Sequence, residues 1–204
     1  FGEAKGRILV ATFASNISRI QQIIDAAVMH NRKVAVCGRS MVNVAGVAMK
    51  LGYLTAPEGT MVDIEKIRNY KSENIVIIST GSQGEPMSAL TRMAAGEHRQ
   101  ISILPGDMVV ISATPIPGNE KTVSRVINEL YKKDAIVIYS ALADIHVSGH
   151  ACKEELKLIH SLVKPKYFMP VHGEYRHLKQ HAELAQGLGL PKEKTFVMNI
   201  GNVL

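Results

Sequence analysis

RILVATFASNISRIQQIIDAAVMHNRKVAVCGRSMVNVAGVAMKL, residues 7–51, alternates two short, unbroken apolar runs with two longer segments in which apolar residues recur every three or four positions. Arg7–Phe13 is bounded by glycine and polar residues and reads as a buried strand. Ser15 and Asn16 are good helix caps, and Ile17, Ile20, Ile23, Ile24, Ala27 and Val28 mark a helix with one apolar face. Lys33–Cys37 is a second buried strand. Gly38-Arg39-Ser40 then leads into a helix through Met41, Val44, Val47, Ala48 and Leu51. Strand–helix–strand–helix is the rhythm of a parallel sheet covered on both faces.

The rhythm continues outward from there. Asp63–Tyr70 reads as a short helix, Ile75–Ser79 as a strand, Ser88–Ala95 as a helix and Asp107–Ser112 as a strand. Asn119–Tyr131 is the next helix and Ala135–Tyr139 the next strand. The fold class is therefore α/β, a doubly wound and mostly parallel sheet, with no repeat, linker or low-complexity tract. After Tyr139 the character changes and histidines concentrate. Ala151–Val163 places Cys152, Leu156, Ile159 and Val163 at helical spacing. Tyr167–Val171 is a strand-like run behind Pro165, and Glu174–Gln186 is a helix.

Composition narrows the class. A chain of 204 residues, 46% hydrophobic, suffices for one domain or for one domain plus part of another. No apolar run approaches ~18 residues, and no secretory leader opens the chain. Cys37, in an apolar strand pattern, and Cys152, on an apolar helix face, read as buried free thiols of a cytoplasmic protein; one disulfide between them is the open alternative. The net charge of +6 suits a polyanionic partner, while 5% aromatics and no Trp give no sign of a base-stacking surface. The chain begins at Phe1 and stops within the apolar run 196–204, as a piece of a longer protein would.

Three loops stand after strands and before helices: Gly38-Arg39-Ser40, Thr80–Pro86 and Thr114–Asn119. Their glycines, prolines and small polar groups suit backbone N–H groups turned toward an anion, although any doubly wound fold also needs such connections. Neither a GxxxxGK phosphate loop nor a GxGxxG fingerprint is present. In His146-Val-Ser-Gly-His150 and Pro170-Val-His172-Gly-Glu174, His150 stands at a helix start and His172 between a strand end and a helix. A lone loop histidine is most often solvated or capping, and two glycine-flanked ones at matching positions weaken that reading without removing it. His177 and His181, four apart beside Arg176, Lys179 and Gln180, read as a solvated basic face. His30, His98 and His160 carry no assigned role.

At four places the residues themselves resemble a known family. TGSQGEP (80–86), ATPIPGNE (113–120), HVSGHA (146–151) and MPVHGEYRHL (169–178) are similar, in order and spacing, to the motifs of bacterial ribonuclease J. That is a β-CASP family of the metallo-β-lactamase superfamily. The resemblance implies a β-CASP domain in residues 1–140. It implies the returning C-terminal α/β part of a metallo-β-lactamase domain in residues 141–204. His150 falls on the motif B histidine and is implied to be catalytic; His172 falls on the motif C histidine, a zinc ligand. The family's H-x-H-x-D-H motif, its bridging aspartate and its motif A acid are expected upstream of Phe1. Two Zn2+ ions are implied per complete active site, and the chain alone is expected neither to retain them nor to cleave RNA. Implied partners are RNA with 5′-monophosphate ends, further copies of the enzyme and other RNA-decay proteins. The implied activity is endonucleolytic and 5′→3′ exonucleolytic.

The chemistry accounts for both histidines. Phosphodiester hydrolysis at a two-zinc site needs a metal-bound hydroxide and positive charge against the phosphoryl oxygens. Neutral imidazole is a good zinc ligand, the role implied for His172. A protonated His150 can assist the leaving group or stabilise charge. Phosphate-binding candidates are Ser82, Gln83, His146, Ser148, Gly149 and His150, with Arg39, Ser40 and Arg92 along the RNA path. Two rival readings are an RNA-binding module without chemistry and an unrelated phosphate-binding α/β enzyme. An upstream H-x-H-x-D-H separates the enzyme from the module.

Overall fold

The computed structural model of the chain describes residues 1–140 and 149–204. Its strands are Ile8–Ala11 (β1), Lys33–Cys37 (β2), Ile75–Ser79 (β3), Met108–Ile111 (β4) and Ile136–Ile138 (β5), all parallel in the order β2-β3-β1-β4-β5. The helices of this part are Ile17–Met29 (α1), Arg39–Lys50 (α2), Ala89–Ala95 (α3) and Glu120–Tyr131 (α4).

The central place of β1 follows from its sequence. Ile8, Leu9, Val10 and Ala11 are each 3% exposed or less, so neither face tolerates a polar side chain. Ile8 and Val10 join Ile20, Ile23 and Ile24 of α1 and Met41 and Ala45 of α2 in one core layer. Leu9 and Ala11 join Leu90 and Met93 of α3 and Val126 and Leu130 of α4 in the other. Each fully buried Ile or Leu contributes about 1.5–3 kcal/mol, which makes this strand the anchor of both layers. Because all strands run the same way, the loops 38, 80–88 and 112–119 leave the sheet at one edge, the carboxyl edge. That edge is where open α/β sheets bind ligands.

The α/β sheet and its element order agree with the sequence expectation, with ends drawn in by one or two residues. Asp63–Tyr70 differs in type: it is a 3-10 helix over Ile64–Asn69, with Asp63 accepting from Glu65 N at 2.9 Å. So short a segment gains too few i→i−4 bonds to complete α-helical turns.

The chain divides into two compact units, Phe1–Val147 and Ser148–Leu204. The second contains helices Lys153–Val163 (α5) and Tyr175–Gly187 (α6). Phe168 lies between two histidine rings there, His160 at 5.4 Å and His181 at 4.9 Å, both edge-on. Two expectations are corrected in this unit. Tyr167–Val171 is not a strand; only Phe168 pairs, in an isolated bridge with Thr195, because no longer extended segment lies alongside. Cys152 is exposed, not buried: it caps α5 from outside the helix, its N–H donating to Glu155 at 2.7 Å. Helical spacing counted one cap position as part of the apolar face. Both cysteines are free. Among the described residues no helix is long and apolar enough to cross a membrane.

Candidate functional site

The loop after β3 is drawn inward. Ser82 and Gln83 are 2% and 3% exposed. The Gln83 amide donates to the Thr114 carbonyl at 3.0 Å and accepts from Ile116 N at 2.8 Å and Asn119 Nδ2 at 3.4 Å. Its backbone carbonyl accepts from Thr122 Oγ1 at 3.4 Å. Gln83 is thus a clamp between the β3 and β4 loops and the start of α4. One amide N–H and the amide oxygen of Gln83, expected to face phosphate, are thus engaged within the protein. Gly84 makes the approach possible: at φ +70° its Cβ would lie 2.7 Å from the Thr122 carbonyl carbon.

At the end of β2, Arg39 and Ser40 are exposed at the start of α2. Arg92, in the last turn of α3, is half-buried and donates to the Glu97 carbonyl at 3.4 Å. His98, given no role by the sequence, proves structural. Its Nδ1 accepts from Gln100 N at 3.3 Å and Ile101 N at 3.2 Å, so Nε2 holds the proton and faces Cys37 Sγ at 3.3 Å. Burial, with the neighbouring Arg92 adding to it, holds His98 below its usual pKa. Burial also pushes the Cys37 thiol up to about 11, which makes it unreactive.

In the second unit His150 precedes the cap of α5, and His172 precedes the cap of α6 by two residues. Both are exposed, and their rings stack at 5.2 Å with 13° between planes. Gly149 is exposed beside His150, whereas His146 and Ser148 lie outside the described residues. His172 has φ +73° and Gly173 φ +106°, two left-handed residues in succession. Glu174 then caps α6, its N–H donating to His177 Nδ1 at 3.0 Å.

The solvated basic face expected for His177 and His181 holds for His177, which is exposed with Arg176, Lys179 and Gln180, and is corrected for His181. His177 is the acceptor of that cap, and His181 is half-buried against Phe168, its pKa lowered by burial and then by His160. Nothing in the histidine spacing distinguishes a cap acceptor from a solvated ring. The stacked imidazoles of His150 and His172 are the right donors for zinc, but a catalytic zinc takes three protein ligands. Among the described residues no three His, Cys, Asp or Glu side chains are grouped to hold a metal. These residues fit a metal site as contributors to it.

Comparison with known proteins covers the whole chain. Residues 5–130 match the family "Ribonuclease J, beta-CASP domain", and residues 136–198 match "Zn-dependent metallo-hydrolase RNA specificity domain". A ribonuclease J of Helicobacter pylori is 49% identical over 202 residues, 99% of this chain and 29% of that protein. Ribonuclease J 1 of Streptococcus pyogenes is 49% identical over 199 residues, 98% of this chain and 36% of that protein. Ribonuclease J2 of Bacillus subtilis is 44% identical over 201 residues, 98% of this chain and 36% of that protein. The chain thus spans about a third of the length of the curated relatives it matches.

Proposed function

The chain belongs to the ribonuclease J family, and on that premise we propose that it supplies the RNA-gripping domain and part of the catalytic centre of a zinc-dependent ribonuclease. In this reading residues 1–140 are the β-CASP domain and residues 141–204 the end of the metallo-hydrolase domain. The observation that carries it is the parallel stack of His150 on His172, two motif histidines brought together from the starts of two helices. His172 holds metal through a neutral ring nitrogen. Zinc, when bound, supplies a nucleophilic hydroxide and charge against the phosphoryl oxygens. His150, protonated, stabilises charge on phosphate or delivers a proton to the leaving oxygen.

Gly149, exposed beside His150, offers a phosphate contact; the same role is assigned to His146 and Ser148, which lie outside the described residues. In the first unit, Arg39, Ser40 and Arg92 follow the RNA, and Ser82 serves its phosphates from the loop after β3 that Gln83 fixes. The substrate class is RNA, preferably with a 5′-monophosphate, cut endonucleolytically and from the 5′ end. The setting is the cytoplasm, in a homo-oligomer associated with other RNA-decay proteins. A second reading, an RNA-binding module without chemistry, is favoured by the net charge of +6, which suits a polyanion without any catalytic group.

Two substitutions in the full-length polypeptide decide between the roles. His172→Ala should lower zinc content and RNA cleavage together. His150→Ala should keep zinc and lower turnover by about a hundredfold or more, the scale of a lost acid or electrostatic group. Equal loss of zinc in both variants would show that the assignment is wrong. Unchanged cleavage in both would favour the binding module.

A further inference from the structure

We propose that His177 is the positioning residue for the metal-binding imidazole of His172; the inference rests on the reading of His172 as a zinc ligand. His172 is held at φ +73°, a conformation that a side chain other than glycine's disfavours, and Gly173 follows at φ +106°. Both residues are exposed, so burial does not fix this turn. Two contacts that bear on it meet at His177. The Glu174 N–H donates to His177 Nδ1 at 3.0 Å, while the His177 backbone N–H donates to the Glu174 carbonyl at 2.9 Å. The same ring stands against the turn itself: a Cβ on Gly173 would lie 3.2 Å from both Cβ and Nδ1 of His177. The residue after His172 therefore has His177 as its wall, and the next residue has it as its cap.

The position is unusual for its residue type. The third residue of such a reciprocal cap is ordinarily Glu or Gln, whose flexible side chain satisfies the N–H but does not brace a neighbour. An imidazole does both, because its acceptor sits on a rigid ring. Without that acceptor the Glu174 N–H returns to water, and the two left-handed residues are free to relax to ordinary φ. The His172 ring would then leave its stack on His150. His177 does not touch the metal or substrate in this scheme; it acts through the backbone that carries His172.

The test is zinc affinity of the full-length polypeptide, measured against a competing chelator, with thermal unfolding of the zinc-free protein alongside. His177→Ala should weaken zinc binding by about tenfold or more, as loss of an orienting partner does. The zinc-free unfolding temperature should fall only slightly, by the loss of one exposed cap acceptor. His177→Gln, which restores an acceptor at the cap, should recover most of the affinity. His177→Phe keeps a ring against Gly173 and removes only the acceptor, and should lose zinc as Ala does; it carries the test if the alanine variant does not fold. His172→Ala run in parallel tests the underlying reading. If that variant binds zinc as the unaltered protein does, the ligand assignment fails. If it loses zinc while His177→Ala and His177→Phe keep it, the inference about His177 fails. A loss that Gln does not recover, or one matched by an equal fall in zinc-free stability, also overturns it.

Discussion

Cys37 and His98 illustrate how neighbours decide the state of a single residue. The His98 ring accepts two backbone N–H bonds on Nδ1 and faces the Cys37 sulfur with Nε2, an arrangement that only the neutral imidazole can make. Its folded pKa is accordingly lowered from 6.5 by burial and by Arg92. The unfolded state thus binds the proton more readily, and stability falls as pH falls. The contribution is fully present above about pH 6.5, the unfolded value, and is lost as pH drops through the lower folded value. His181, lowered by burial against Phe168 and by His160, adds to the same slope with the same sign. Denaturant midpoints measured from pH 7.5 downward should therefore fall below about pH 6.5. They should fall less in His98→Gln, whose amide can keep an acceptor and a donor in place. An identical slope in the variant would remove His98 from this account. None of this was legible in sequence, since a histidine in a loop carries no mark of its hydrogen bonds. Cys37 was read as buried because its strand is apolar; Cys152 was misread because a cap shares the helix's spacing.

Elements were far more legible than the contacts between them. Unbroken apolar runs mark the five strands of the sheet among the described residues, since its central strands β1 and β3 are buried on both faces and show no alternation. The failures lie where tertiary partners decide. Tyr167–Val171 has strand-like residues but only one bridging partner, and Asp63–Tyr70 is too short to hold α-helical turns. The loops were located correctly, but their function within the fold was hidden: Gln83 ties the β3 loop to the β4 loop, and Gly84 lets α4 press against it. Gln83→Ala leaves the Thr114 carbonyl and the Ile116 N–H without their partner and should destabilise by about 1–3 kcal/mol for each group that stays dry. Gly84→Ala combines a positive φ with a Cβ 2.7 Å from the Thr122 carbonyl carbon, and should cost about 2 kcal/mol or more. Gln83→Glu sets a carboxylate oxygen against the Thr114 carbonyl at a buried position, and should destabilise more than Ala. Urea denaturation of the three variants orders them; a neutral Gly84→Ala would mean that α4 is not held by this loop.

At the scale of the whole molecule, binding and cleavage should separate. The change in character after Tyr139 marked where one kind of sequence gives way to another, and the four motifs carried the family, because each combines fixed glycine geometry with chemical groups at set spacing. The proposed metal site is only partly legible, because donors that lie far apart in sequence show in any one stretch as isolated histidines. The described residues group no three metal donors together, whereas the net charge of +6 belongs to the chain as it stands. Residues 1–204 purified alone should therefore hold no stoichiometric zinc and cleave no RNA, yet still bind single-stranded RNA electrostatically. Binding through released counterions weakens linearly in log affinity against log salt, by roughly 0.7 per neutralised phosphate. Arg39→Ala or Arg92→Ala should shallow that slope by about one phosphate's worth if those side chains meet the backbone of the RNA. Fluorescence anisotropy of a labelled oligonucleotide across a salt series measures both, and metal analysis of the same preparation measures zinc. Two tightly held zinc ions, or metal-dependent cleavage by residues 1–204, would show that this stretch completes a catalytic centre by itself. Affinity indifferent to salt would show that the positive charge does not hold the RNA, and would shift the grip to uncharged contacts such as the backbone around Gly149.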